Sequence, residues 1–155
     1  MGDISALTEF KQGLKFLRDG DSAGAFEHLR HAAELKQQNP LYLSFLGVSV
    51  ARAQRKWDAA VTLCEKAVSL KRNEAQLYLN LAEVYVSAGR RDKAIKILDT
   101  ASIYCRADAR IGRVRGHLGR RCSPVLPFLE RGHFLNRSLG KLRHRLLGRQ
   151  RKSEN

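Results

Sequence analysis

The chain has 155 residues, enough for one ordinary domain, and its 43% hydrophobic content can fill a core. With only three prolines a long, turn-rich β architecture is not expected, and no continuous apolar run reaches membrane-spanning length. A formal net charge of +14 instead points to a partner or surface of negative sign.

That charge is unevenly placed. Residues 106–155 hold 14 of the 29 Lys and Arg against three acids, whereas residues 1–105 hold 15 bases against 12 acids. The reading is a near-neutral body with a basic tail, and the domain bounds are residues 1–119 and a basic extension, residues 120–155. The opening stretch MGDISALTEF lacks the basic and apolar regions of a secretory signal, and Ala6 stands where a myristoylation pattern needs Ser or Thr. Cys64, Cys105 and Cys122 are odd in number and widely spaced, so a reducing compartment is expected. The cytoplasm fits, with a peripheral place at the inner face of a membrane left open.

In chain order, the pattern is one of helical hairpins. From about residue 6, Gly13 and Phe16 mark a first helix, and Gly20 a turn. Ala25, Leu29 and Ala32 then mark a second helix with a small-residue face. Asn39-Pro40 supplies an N-cap and a first-turn proline for the next unit. There Gly47 and Val50 repeat the first helix, and Ala60, Cys64 and Ala67 repeat the second. One extra residue falls near Gln54-Arg55-Lys56, which predicts a longer turn. Asn73 with Gln76 reads as a capping box opening a third unit, in which Ala82, Tyr85, Ala94, Leu98 and Ala101 recur around Gly89. The alanines lie 35 and 34 residues apart throughout, giving units of about 6–39, 40–74 and 75–108.

This period, with Leu46-Gly47 and Leu81-Ala82 at fixed offsets from an aromatic and two alanines, resembles the tetratricopeptide repeat family. The first unit departs from it with Gln12-Gly13, and the family's tryptophan position is best matched by Tyr78. The resemblance implies an all-α fold, a right-handed α-solenoid of three helix-turn-helix repeats. Each hairpin leaves an apolar face that only a neighbouring repeat can bury. Ile111, Val114 and Leu118 predict a capping helix over 108–119. Beyond the connector Ser123-Pro124-Val125-Leu126-Pro127, Leu135, Leu139, Leu142 and Leu146 share one face of a predicted C-terminal amphipathic basic helix.

No catalytic constellation stands out, so a non-enzymatic role without cofactor or metal is expected. His28 and His31 could share a helix face, but no carboxylate or thiol is spaced in sequence to complete a metal site. Cys105, His117, Cys122 and His133 have intervals unlike those of zinc sites. The glycines Gly112, Gly116 and Gly119 follow no strand and make no phosphate loop.

The resemblance further implies a concave groove lined by the first helix of each repeat, suited to a peptide or a partner helix. Its register suggests Leu7, Phe10, Leu14, Leu17 and Arg18 from the first repeat. The second would offer Ser44, Val48, Ala51 and Arg52, and the third Gln76, Leu79, Glu83 and Val86. One subfamily grips chaperone C-termini with a Lys, Asn and Arg clamp; here Phe10 and Leu14 stand where the Lys and Asn would be. An adaptor or scaffold holding an apolar or amphipathic segment follows, with Arg18 and Arg52 available for the segment's acids.

The extension has three readings, in this order. Its leucine face packs on the repeats; its bases, among them Arg120, Arg121, Arg137, Lys141, Arg143, Arg145 and Arg149, meet an anionic membrane or acidic partner; or they neutralise nucleic-acid phosphates. Apolar surface left over from a three-repeat stack leaves homodimerisation open.

Overall fold

The computed structural model describes residues 2–119, and contacts divide the chain into two units, Met1–Gly119 and Arg120–Asn155. The predicted C-terminal basic helix, its connector and the seven basic residues named from it lie outside the described residues.

Among the described residues seven helices follow one another: α1 (Gly2–Asp19), α2 (Ser22–Leu35), α3 (Pro40–Gln54), α4 (Trp57–Leu70), α5 (Ala75–Ser87), α6 (Arg91–Tyr104) and α7 (Ala109–Gly119). Successive helices pack as three hairpins, and α3 also packs against α5 so that the hairpins stack into a solenoid. Among the described residues there is no strand, and no helix is long and apolar enough to cross a membrane.

Local chemistry sets the helix ends. Asp21 caps α2 by accepting from the backbone N–H groups of Ala23 (3.1 Å) and Gly24 (2.9 Å). Asn39 caps α3 in the same way, accepting from Leu41 (3.0 Å) and Tyr42 (3.3 Å), with Pro40 in the first turn. The predicted capping box at α5 does not form. Its N-cap is Glu74 without a side-chain cap bond, because Gln76 turns its amide to Asn80 at 2.8 Å. Gly20 and Gly89 turn the chain with φ of 84° and 74°. In the middle hairpin Arg55 takes that left-handed place with φ of 53°. The extra residue of the second repeat therefore lengthens α3, and the turn, Arg55 and Lys56, is no longer than the others.

The in-step small residues are where the two helices of each hairpin touch. Ala25, Ala32, Ala60, Ala67, Ala94 and Ala101 are fully buried, as are Leu29, Cys64 and Leu98. A Cβ added at Gly13 would lie 2.5 Å from Leu29 Cγ, and one at Gly47 2.5 Å from Cys64 Sγ and 2.9 Å from the Ala60 carbonyl oxygen. Between repeats, the Phe10 ring lies 4.6 Å from Tyr42 and 5.5 Å from Phe45, centroid to centroid. At the far end α7 buries Ile111 and ties back through Arg115 to Asp99 and through Arg91 to the Leu118 carbonyl. Of the three residues expected to cap the stack, Val114 instead faces solvent, since α7 turns only its Ile111–Leu118 side inward.

Gly47→Ala should cost about 1–3 kcal/mol, because the backbone oxygen it meets cannot move aside like a side-chain end. Gly112→Ala, on an open helix face, should gain about 0.5–1 kcal/mol. Urea unfolding of the two variants checks both signs.

Alkaline pH gives a second check. Burial pushes the Cys64 thiol from 9.0 up to about 12. Burial, then the hydrogen bond that Tyr85 donates to Glu65 (2.7 Å), pushes the Tyr85 phenol from 10.0 to about 12. Both groups hold their protons more tightly folded than unfolded. Their contribution is complete below about pH 8.5 and is lost as pH rises towards 12. The urea midpoint should fall across that window, with a shallower fall above pH 10 in Tyr85→Phe.

Candidate functional site

Three first helices, α1, α3 and α5, line a concave cavity of about 540 Å³. Each contributes residues spaced by one and two helical turns, so that they share a face: Lys11, Leu14 and Arg18; Phe45, Val48 and Arg52; Gln76, Asn80 and Glu83. Leu17 completes the lining.

Seven of the thirteen residues expected at the groove line it: Leu14, Leu17, Arg18, Val48, Arg52, Gln76 and Glu83. Six do not. Phe10 is buried against Tyr42 and Phe45, Ser44 and Ala51 are buried in the stack, and Leu79 is half-buried against the core. Leu7 and Val86 point to solvent beside the cavity. Lys11, Phe45 and Asn80 were not anticipated. They sit one residue after Phe10, Ser44 and Leu79, and one residue is about 100° around a helix. The sequence signal was available: all three lie two residues before the small position Gly13, Gly47 or Ala82.

The cavity is lined by Leu14, Leu17, Phe45 and Val48 in its apolar part, by the cations Lys11 and Arg18 on α1, and by polar residues on α5. Arg52 donates to the Glu83 carboxylate from Nε (2.8 Å) and Nη2 (2.5 Å), and reaches the Leu17 carbonyl from Nη1 at 3.5 Å. One guanidinium thus joins all three repeats, and its charge is already matched; this corrects the expectation that Arg52 stands available for a ligand's acids. Lys11 and Arg18 have no ion-pair partner among the described residues.

Beneath the polar side runs a chain of hydrogen bonds. Arg110 of α7 donates to the Gln76 side-chain oxygen (2.8 Å), Gln76 donates to Asn80 Oδ1 (2.8 Å), and Asn80 donates to Ser44 Oγ (3.0 Å). Asn80 and Ser44 are buried, so each needs the other to offset its lost hydration. Arg110 also grips Asp108, and its hydrogen bonds hold that carboxyl below the ordinary carboxylate range.

Two other places gather titratable side chains. A polar hollow of about 500 Å³ lies between the loops before α5 and α7, lined by Glu74, Tyr104, Cys105 and Asp108 among others. On the first hairpin, Glu9 of α1 approaches His28 Nδ1 (2.8 Å) and His31 Nδ1 (3.8 Å), a carboxylate that sequence spacing on α2 could not reveal. Among the described residues, no three His, Cys, Asp or Glu are arranged to hold a metal ion.

Residues 51–118 match the family described as Tetratricopeptide repeat. No curated protein matches the chain. Solved structures give the fold. The first TPR of Spaghetti (RPAP3), bound to an HSP90 peptide, is 16% identical with a TM-score of 0.62, over 74% of this chain and 93% of that one. The TPR2B domain of yeast Sti1, in complex with Hsp70, is 16% identical with a TM-score of 0.64, over 75% and 97%. A K341M mutant of the Thermobaculum terrenum O-GlcNAc transferase is 20% identical with a TM-score of 0.65, over 76% of this chain but 22% of the transferase.

Asn80→Ala should cost about 1–3 kcal/mol by leaving the Ser44 hydroxyl buried without its donor. Adding Ser44→Ala should recover part of that loss, and a double-mutant cycle in urea reads the coupling.

Proposed function

We propose that this chain, whose residues 51–118 belong to the tetratricopeptide repeat family, is a protein-interaction module that holds an apolar or amphipathic partner segment in the α1–α3–α5 groove. The observation that carries this is the lining itself. Three helices in register turn one face each to a common cavity, with Leu14, Leu17, Phe45 and Val48 as its apolar part. The groove is built before any ligand arrives, so binding costs little ordering on this side. Its role is that of an adaptor or scaffold, acting by binding rather than by catalysis.

Two of the similar domains are described with peptides of HSP90 or Hsp70. The ligand here is of another kind. Phe10 is packed inside the stack, and Leu14 presents a hydrocarbon where the chaperone clamp would place a polar amide. The thiols Cys64 and Cys105, both free, support a reducing compartment such as the cytoplasm. The extension, with most of the chain's excess of bases, supports a second contact, made with an anionic membrane or an acidic partner.

Selection of random displayed peptides on the full chain tests the main reading. Selected peptides should be rich in large apolar residues and should lose about tenfold or more in affinity to Leu14→Gln, with helicity unchanged. They should bind equally when residues 120–155 are deleted, whereas salt-sensitive binding to anionic vesicles should disappear. Peptides indifferent to Leu14→Gln would overturn the groove, and vesicle binding that survives the deletion would overturn the second contact.

A further inference from the structure

The charges around the groove are not distributed at random over its three helices. On α1, Lys11 and Arg18 flank Leu14, two turns apart, about 10 Å along the helix axis. Both are exposed, and neither is ion-paired among the described residues. On α3, Arg52 occupies the place corresponding to Arg18, but Glu83 of α5 matches it at 2.5–2.8 Å. On α5 itself the lining is neutral or acidic: Gln76, Asn80 and Glu83. Open positive charge is therefore confined to one wall, and the opposite wall carries the only carboxylate of the lining.

Resting on the groove reading above, we propose that this arrangement selects the charge and the seating of the ligand. The occupant is an acidic amphipathic segment of a partner protein, with two carboxylates about 10 Å apart on either side of a large apolar residue. In a helix that spacing corresponds to residues seven apart on one face, with the apolar residue three or four places after the first. The carboxylates pair with Lys11 and Arg18, and the apolar residue fills the space between Leu14 and Phe45. Glu83 does two things at once. It takes Arg52 out of the competition for the ligand's acids, and it leaves the α5 wall without a free cation for them to meet. The ligand is thereby held in one rotational setting, which a groove with cations on every wall would not impose.

The chemistry disfavours two other occupants. A basic segment, such as the chain's own residues 131–149 with Arg137, Lys141, Arg143 and Arg145, carries the wrong sign for α1. A purely apolar segment would leave Lys11 and Arg18 without counter-charge at the rim.

The test uses the full chain and three fluorescein-labelled helical probes sharing one leucine-rich core, with Glu, Gln or Lys at the two flanking positions. A fourth probe carries residues 131–149. Fluorescence anisotropy at low salt should rank the Glu probe about threefold to tenfold tighter than the Gln probe, and the Lys probe weakest, with the gaps closing as salt is raised. Lys11→Gln/Arg18→Gln should abolish that ranking while keeping leucine-dependent binding. Lys11→Glu/Arg18→Glu should invert it in favour of the Lys probe. Equal binding of the Glu and Gln probes, each lost in Leu14→Gln, would overturn the charge selection and leave the groove standing. Tighter binding of the 131–149 probe than of the Glu probe would overturn it in favour of the chain's own extension. No saturable binding by any probe would overturn the groove and the selection together.

Discussion

The closeness of the two helices in each hairpin is the constraint from which the rest follows. Glycine at positions 13 and 47 lets the first helix approach until Leu29 or Cys64 fills the space a Cβ would occupy, and in the third hairpin the small Ala82 is buried at the equivalent place. Dispersion contacts fall steeply with separation, so thin hairpins stack with well-filled seams, and loosened ones would leave voids. The flanking alanines keep that approach constant along each helix pair. Stacked in this way, the hairpins turn α1, α3 and α5 to one side, and the faces of those helices that the stack leaves open form one surface.

Polar contacts then fix how the hairpins sit on each other, which apolar seams do only loosely. The hydrogen bond between Asn80 and Ser44 is buried and joins α3 to α5; a displacement along the seam would leave both groups unsolvated. Arg52 does this nearer solvent, bridging Leu17 and Glu83. Half-exposed pairs add little stability, yet a guanidinium held by two repeats at once restricts their relative movement. The register of the stack and the charge pattern of the groove thus have a common cause.

The fold was legible in the sequence because its determinants are periodic: a small residue is demanded at the same point of every hairpin, and each was found buried. The groove was legible only in part. Its apolar members Leu14 and Val48 follow the same period as the core, but Lys11, Phe45 and Asn80 occupy one equivalent place with three unrelated side chains. The register implied by the resemblance therefore fell one residue early, on Phe10, Ser44 and Leu79, which are buried or half-buried in the stack. Contacts between repeats were the least visible. Nothing local indicates that Glu83 faces Arg52, 31 residues earlier, or that Asn80 donates to Ser44, 36 residues earlier.

Those three unrelated side chains also bear on function. A position that only had to support the stack would be held to one size and polarity in every repeat, as the alanines are. The lining position is held to neither, although Phe45 and Asn80 also touch the stack, and it changes from cation to aromatic to amide between α1 and α5. The scaffold supplies geometry three times over and leaves chemistry unspecified. Whatever the groove discriminates must then come from differences between equivalent places: Lys11 against Asn80, Leu14 against Glu83, and Arg18 open where Arg52 is matched. A gradient of that kind across three equal steps gives an otherwise regular groove a direction.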